Sequence, residues 1–344
     1  MKVLFVAALP PPVHGSAVVS DYVINLMEPK HDIYKINIGS KDVLLTYNSR
    51  VVKKFFLGLR KLLIVSKESS GDYDKVYFTP AINGLAFWRD IILILIIKLK
   101  NSKASVIFHM HNKGLENSYI KRILFNFITK NDVVVVLTKK LSAPYKNAVK
   151  IIKNFPVGAP NTSIRIKDEI SRIGFLSNYI VEKGIKSFVD IAFEFGNTSL
   201  KFEAAGKDAD CTRNELLSII ASKGQSNLKV HGPKYDDDKW RFLDSLDVLL
   251  FPTTYSNECS PLVLMEAMSR GVLVISFNEG GIEDMLPQDT MCLVQGEREM
   301  IEVLNMLINE PLLFVEERKK QQLFFHSDFT AENFEKEILS LFNE

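Results

Sequence analysis

The sequence predicts an α/β protein made of two doubly wound, Rossmann-like domains facing across a cleft. Three observations carry that expectation. The chain has 344 residues, enough for two domains at roughly 100–200 residues each. Short apolar runs alternate with helical patterns almost throughout, the order that produces parallel sheets flanked by helices. The runs are rich in Val, Ile and Phe and lack strict alternation, as strands buried on both faces require.

In order, the first series of strands is expected at Lys2–Leu9, His31–Ile38, Asp74–Phe78, Ala104–His109 and Asp132–Thr138. The apolar run of the first ends in Pro10-Pro11-Pro12 with no polar cleavage region, so it reads as a buried strand rather than a secretory leader. Leu85–Leu99 is interrupted by Arg89-Asp90 and is too short an apolar run to cross a bilayer, so it reads as a buried helix. Asn154–Ser163, with Pro156, Gly158 and Pro160, is the best linker, dividing 1–158 from 159–327. A second series of strands follows: Arg172–Leu176, Lys201–Ala205, Leu228–His231, Asp247–Phe251, Val272–Ser276 and Met291–Val294. Helical segments such as Lys183–Glu194 and Asp237–Ser245 lie between them. In such folds ligands bind at the carboxyl ends of the strands.

Composition bounds the partners. With 47% hydrophobic residues the chain is not disordered. Its three cysteines, Cys211, Cys259 and Cys292, form neither a disulfide framework nor a zinc-ligand spacing, which suits a reducing, cytoplasmic compartment. The net charge of +2 hides a division. Residues 1–160 carry 24 Lys and Arg against 10 Asp and Glu; the remainder carries 19 against 31. Halves of opposite charge predict different partners.

The strongest chemical signal is Phe251–Gly271. A strand ends at Phe251, a loop follows, and Ser260 and Pro261 suit the cap and first position of a helix that Gly271 closes. That helix is apolar nearly all round, which makes Glu266 anomalous, because a buried carboxylate needs a partner. The partner is either a core Arg or Lys or the vicinal hydroxyls of a ligand such as a ribose. The helix N-terminus suits a diphosphate, and Glu258 just before it would face the next part of the same ligand. Ribose, diphosphate and a further polar group in sequence describe a nucleotide sugar.

Two glutamates separated by seven residues in a loop and helix, followed by strand Val272–Phe277 and Gly280-Gly281, resemble the retaining GT-B glycosyltransferases of the group 1 family. Gly174-Phe-Leu-Ser-Asn-Tyr-Ile-Val-Glu-Lys183-Gly184 is similar to the family's strand and loop ending in Lys-Gly, Asn154-Phe-Pro-Val-Gly158 to its interdomain segment, and Pro10-Pro-Pro-Val-His-Gly15 to its glycine loop. The resemblance implies that Glu266 binds the donor's ribose, Glu258 the transferred sugar and Lys183 the diphosphate. Backbone N–H groups of Cys259, Ser260, Leu262 and Val263 would hold phosphate and sugar hydroxyls. Gly15 would let backbone approach the donor, His111 would lie near the donor sugar, and His231-Gly232 would meet the base. His14 and His109 are candidates for the acceptor. An Arg usual in the family before the Lys is missing, leaving Asn178 as a neutral substitute. The last helix, about 328–344 and capped by Thr330, is implied to cross back onto the first domain.

The implied reaction is retaining transfer from a nucleotide-diphosphate sugar to a hydroxyl of a lipid-linked saccharide, as in bacterial O-antigen, capsule and lipopolysaccharide synthesis, with no cofactor and no metal. The basic, apolar stretch Val51–Lys67 suggests peripheral contact with the anionic inner face of the cell membrane. Two other readings are a nucleotide-sugar epimerase of the same fold and a polyanion-binding protein. The epimerase carboxylates are not visible, and no nucleic-acid motif accompanies the basic half.

Overall fold

A computed structural model describes residues 1–11, 15–39, 67, 71–160, 168–224 and 227–343. His14 and nearly all of Val51–Lys67 lie outside the described residues. The chain divides into two compact units, Met1–Val157 with Glu332–Glu344, and Gly158–Ala331.

In the first unit the elements are β1 (Lys2–Ala7), α1 (Gly15–Met27), β2 (Asp32–Asn37), β3 (Lys75–Phe78), α2 (Gly84–Lys100), β4 (Ser105–Met110), α3 (Tyr119–Ile128), β5 (Val133–Val136) and β6 (Ala148–Ile151). The described strands make a parallel sheet in the order β2-β1-β3-β4-β5-β6. The central strands are buried on both faces, which is why their sequences do not alternate. Strand β6 was not anticipated: its four residues, Ala-Val-Lys-Ile, are exposed or half-buried at the sheet edge and carry no apolar run.

Helix α2 departs from the buried helix expected of Leu85–Leu99. Phe87, Ile91, Leu93, Ile94 and Ile97 are buried, whereas Leu85, Trp88, Ile92, Leu95 and Leu99 are exposed. Apolar residues therefore occupy two faces, and only one of them rests on the protein.

The last helix, α10 (Ala331–Asn343), belongs to the first unit. Phe342 stacks near Phe5 and Tyr77, with ring centroids 6.1 and 6.3 Å away, and the Lys75 ammonium donates to the Leu341 carbonyl at 2.7 Å. Tyr22 donates to Glu335.

The second unit contains β7 (Arg172–Leu176), α4 (Ile185–Glu194), β8 (Lys201–Ala205), α5 (Arg213–Ser222), β9 (Leu228–His231), α6 (Asp236–Asp244), β10 (Val248–Phe251), α7 (Leu262–Ser269), β11 (Leu273–Phe277), β12 (Leu293–Val294), α8 (Glu297–Asn309) and α9 (Pro311–Asp328). Its parallel sheet runs β12-β11-β10-β7-β8-β9. Phe175, Phe188 and Phe202 form a fully buried aromatic core between sheet and helix. Each such ring contributes roughly 1.5–3 kcal/mol by leaving water.

The strand order fixes where a ligand can bind. The chain moves outward from β7 to β8 and β9, then returns to place β10 on the other side of β7. The loops leaving β7 and β10 therefore part in opposite directions, opening a crevice at their carboxyl ends. The first unit has the same switch between β1 and β3. The two doubly wound parallel sheets bear out the fold class expected from the sequence.

Candidate active site

The loops that leave β7 and β10 carry Lys183 and Glu258. The first passes through a short 3-10 turn, Val181–Lys183, and enters α4 at Gly184 with φ 91°. An added Cβ on Gly184 would stand 2.1 Å from the Pro252 carbonyl oxygen, so glycine is required both for the left-handed backbone and for the close approach of the two loops. Thr254 N–H donates to the Glu182 carbonyl at 2.8 Å, joining the loops further. The loop after β11 supports Glu258 from below. Gly281 N–H donates to the Glu258 carbonyl at 2.9 Å, and a Cβ on Gly280, at φ 60°, would fall 1.8 Å from that oxygen.

These constraints bring the Lys183 ammonium and the Glu258 carboxylate into a hydrogen-bonded ion pair. The ammonium also lies 4.8 Å from the centre of the Tyr255 ring. Glu258 is buried, and its carboxyl is pushed above the usual range by loss of water, opposed by Lys183 and reinforced by the charge of Glu279. A buried carboxylate held by one half-buried lysine leaves both groups poised to exchange partners with a ligand.

Helix α7 begins at Leu262, with Pro261 as its cap (φ −64°, ψ 115°) rather than Ser260. Ser260 is thus one residue too early, because Pro261 keeps an extended ψ. The N–H groups of Leu262 and Val263 open the helix and have no acceptor within it. Cys259 is buried, and its thiol points back to the Asn257 carbonyl at 3.4 Å.

Glu266, one turn further on, pairs with Lys239 of α6 at 2.6 Å. Of the two partners the sequence left open, the structure shows a lysine holding the carboxylate. Nothing in the sequence singled out Lys239; it follows three aspartates in the first turn of a polar helix and reads as solvent-facing.

The base-side segment is also tied down. Tyr179 is fully buried, and its hydroxyl meets the His231 carbonyl at 2.5 Å and the Ala204 carbonyl at 3.1 Å. The His231 ring lies 2.9 Å from Glu203, so its side chain is occupied and Gly232 continues as open backbone. Asn178 is exposed on the loop after β7. Tyr179, like Lys239, was missed: a tyrosine in a loop gives no sign that its hydroxyl bridges two strands.

In the first unit, Gly15 starts α1 after β1, His109 lies near the end of β4 and His111 directly follows it. Period two puts the two imidazoles on one face, and their ring centres lie 4.2 Å apart. His109 is fully buried, hydrogen-bonded through Nδ1 to Tyr77, and burial aided by His111 holds it neutral, well below the usual histidine range. His109 has no surface of its own, so it does not touch an acceptor directly as the sequence suggested, whereas His111 is half-buried. Among the described residues no group of three or more His, Cys, Asp or Glu gathers as metal ligands.

The paired sheets and the site at their switch point define a GT-B class of architecture. Residues 170–310 match the family model "Glycosyl transferases group 1", so the resemblance read from the sequence holds across the second unit. An uncharacterized glycosyltransferase of Haemophilus influenzae is 23% identical over 212 residues, which are 57% of this chain and 57% of that protein. The chain thus matches little more than half the length of this curated relative. Anabaena HepE in complex with UDP-glucose has the same fold, with a TM-score of 0.72 at 14% identity over 100% of this chain and 99% of the other. The lipopolysaccharide outer core galactosyltransferase WaaB has a TM-score of 0.69 at 16% identity, covering 99% of each chain.

Proposed function

We propose that the protein is a retaining glycosyltransferase that takes a sugar from a nucleotide-diphosphate donor and delivers it to a hydroxyl of a lipid-linked saccharide in surface polysaccharide synthesis. The observation that carries this reading is the Lys183–Glu258 pair at the β7/β10 switch point, with Glu266 eight residues beyond Glu258 on the helix that follows. The UDP-glucose complex of a protein of the same fold and the lipopolysaccharide role of another support donor class and pathway class.

On this reading Glu266 turns from Lys239 to the ribose hydroxyls, and the base lies against His231-Gly232 and Asn178. The N–H groups of Leu262 and Val263, with the helix dipole, hold the diphosphate. Lys183 leaves Glu258 for the diphosphate and stabilises the negative charge that grows as the glycosidic bond breaks. Glu258, released, accepts hydrogen bonds from the transferred sugar, assisted by backbone N–H groups at Cys259 and Ser260. His111 lies near the transferred sugar, Gly15 lets backbone approach the donor, and His14 binds the acceptor. No side chain is assigned as a nucleophile. The departing phosphate takes the acceptor's proton on the face it leaves, and the protein contributes position and charge. No metal takes part, so EDTA leaves the rate unchanged.

A thermal-shift screen of UDP-, GDP- and ADP-sugars tests the donor class, and NMR of the product's anomeric centre tests retention. Stabilisation by one nucleotide sugar and an unchanged anomeric configuration are expected. No shift with any of the three, or inversion, overturns the assignment.

A further inference from the structure

We propose that the outer faces of α2 and α3 form a docking surface for an anionic lipid bilayer. This goes beyond the transfer reaction and stands without it. The right-handed crossovers β3-α2-β4 and β4-α3-β5 place both helices on one face of the sheet, side by side. They are fastened to each other and to the neighbouring loop: the Lys98 ammonium donates to the Ile128 carbonyl at 2.7 Å, and Lys121 lies 5.1 Å from the Phe87 ring. The sides turned from the sheet carry apolar groups at helical spacing, most prominently Leu85 (72% exposed), Leu99 (82%), Tyr119 (69%) and Phe127 (79%), with Trp88 between. Apolar surface on this scale, in two adjacent helices, marks an interaction site.

Charge selects the occupant. Residues 84–130 hold eight Lys and Arg and two Asp and Glu, and one of those acids, Asp90, is buried against Arg89. A groove of about 370 Å³ beside α3 is lined by Tyr119, Ile123 and Phe127 together with Arg122, Lys130 and Lys146. Cations ringing apolar and aromatic side chains match lipid phosphates above acyl chains, with Trp88 and Tyr119 at the level where such rings settle. A second copy of the same surface would oppose like charges across a two-fold axis, which disfavours self-association. Among the described residues no helix is long and apolar enough to cross a membrane, so the contact is peripheral.

The full chain is mixed with phosphatidylcholine vesicles with or without phosphatidylglycerol and sedimented at low and high salt. Binding is expected only to the anionic vesicles and is expected to weaken with salt. In a Trp240→Phe background, Trp88 emission shifts to the blue on binding. Arg122→Gln, Lys130→Gln and Lys146→Gln together weaken binding roughly a hundredfold, at about fivefold for each charge lost. Leu99→Ser with Phe127→Ser weakens it by about tenfold or more. Nucleotide-sugar stabilisation stays unchanged in all these variants, which separates failure of docking from failure of the transfer reading. Absence of wild-type binding at low salt, wild-type binding by both sets of variants, or a dimer that these substitutions dissolve overturns the proposal.

Discussion

Removing the Lys183 ammonium while keeping its stem, as in Lys183→Met, leaves Glu258 buried without its counter-charge. The Glu258 side chain is 5% exposed and that of Lys183 20%. Breaking a buried pair by deleting one partner costs about 3–5 kcal/mol, and the partial exposure of the lysine brings the expectation to about 2–3 kcal/mol. For a unit of this size each kcal/mol moves the melting temperature by about 2–4 °C, so the loss is on the order of 5–10 °C. The sign of its pH dependence follows from Glu258, whose folded carboxyl already lies above its ordinary value. In the variant it rises further, so the folded state binds the proton more tightly than the unfolded chain. Stability then falls as pH rises from about 4.3, the unfolded value, through the raised folded value. Melting followed by fluorescence from pH 5 to pH 8 should show the deficit grow toward pH 8. Adding Glu258→Gln removes the orphaned charge and should restore at least half of it. Equal melting of the variant and wild type at pH 8, or no recovery in the double variant, refutes the account of a buried pair.

Other outcomes follow from the same geometry. Glu266→Ala removes a charged acceptor expected to be worth about 1.5–3 kcal/mol to the donor, so calorimetry with the cognate nucleotide should show roughly ten- to a hundredfold weaker binding; an unchanged Kd removes Glu266 from the site. Gly280→Ala forces a methyl group toward the Glu258 carbonyl at positive φ, and a cost of about 1–3 kcal/mol should appear in melting together with lost transfer. Normal stability and rate would show that the β11 loop does not hold Glu258. His111→Ala should lower kcat while leaving the donor's KM within about threefold, and an equal loss in both would move His111 into ground-state binding.

Much of this was legible because buried parallel strands and positive-φ glycines leave plain marks in a sequence. Arg172–Leu176, Lys201–Ala205 and Leu228–His231 were expected with the boundaries they have, since each is a short apolar run between turns. The Glu258/Glu266 spacing was legible because a carboxylate in an otherwise apolar helix stands out. What stayed hidden depended on tertiary neighbours. Lys239 reaches Glu266 only because α6 packs beside α7, and the three aspartates before it read as the solvated start of a helix. Strand β6 is defined by pairing with β5, with no buried face to announce it. Helix α2 was misjudged because an all-round apolar sequence has the same pattern whether its second face meets protein or not.

On the proposed function, the two Lys–Glu pairs would let a donor site keep its charges paired and still take up a charged ligand. A buried ion pair contributes little net stability, because the cost of stripping water from both ions nearly offsets their attraction. On that reading, exchanging the Glu258 carboxylate for a diphosphate at Lys183, and Lys239 for ribose hydroxyls at Glu266, would therefore need only a modest difference in interaction energy. The second half of the chain is acidic overall, with 31 Asp and Glu against 19 Lys and Arg beyond residue 160. That background repels a diphosphate at long range, where screening weakens it beyond about 10 Å. On the proposed function, local groups would then decide binding: one ammonium, one helix terminus and the release of one carboxylate. Replacing Lys183 would remove both the counter-charge of Glu258 and the group proposed to receive the phosphate, so stability and turnover should fall together at this residue more than at any neighbour on the same loop.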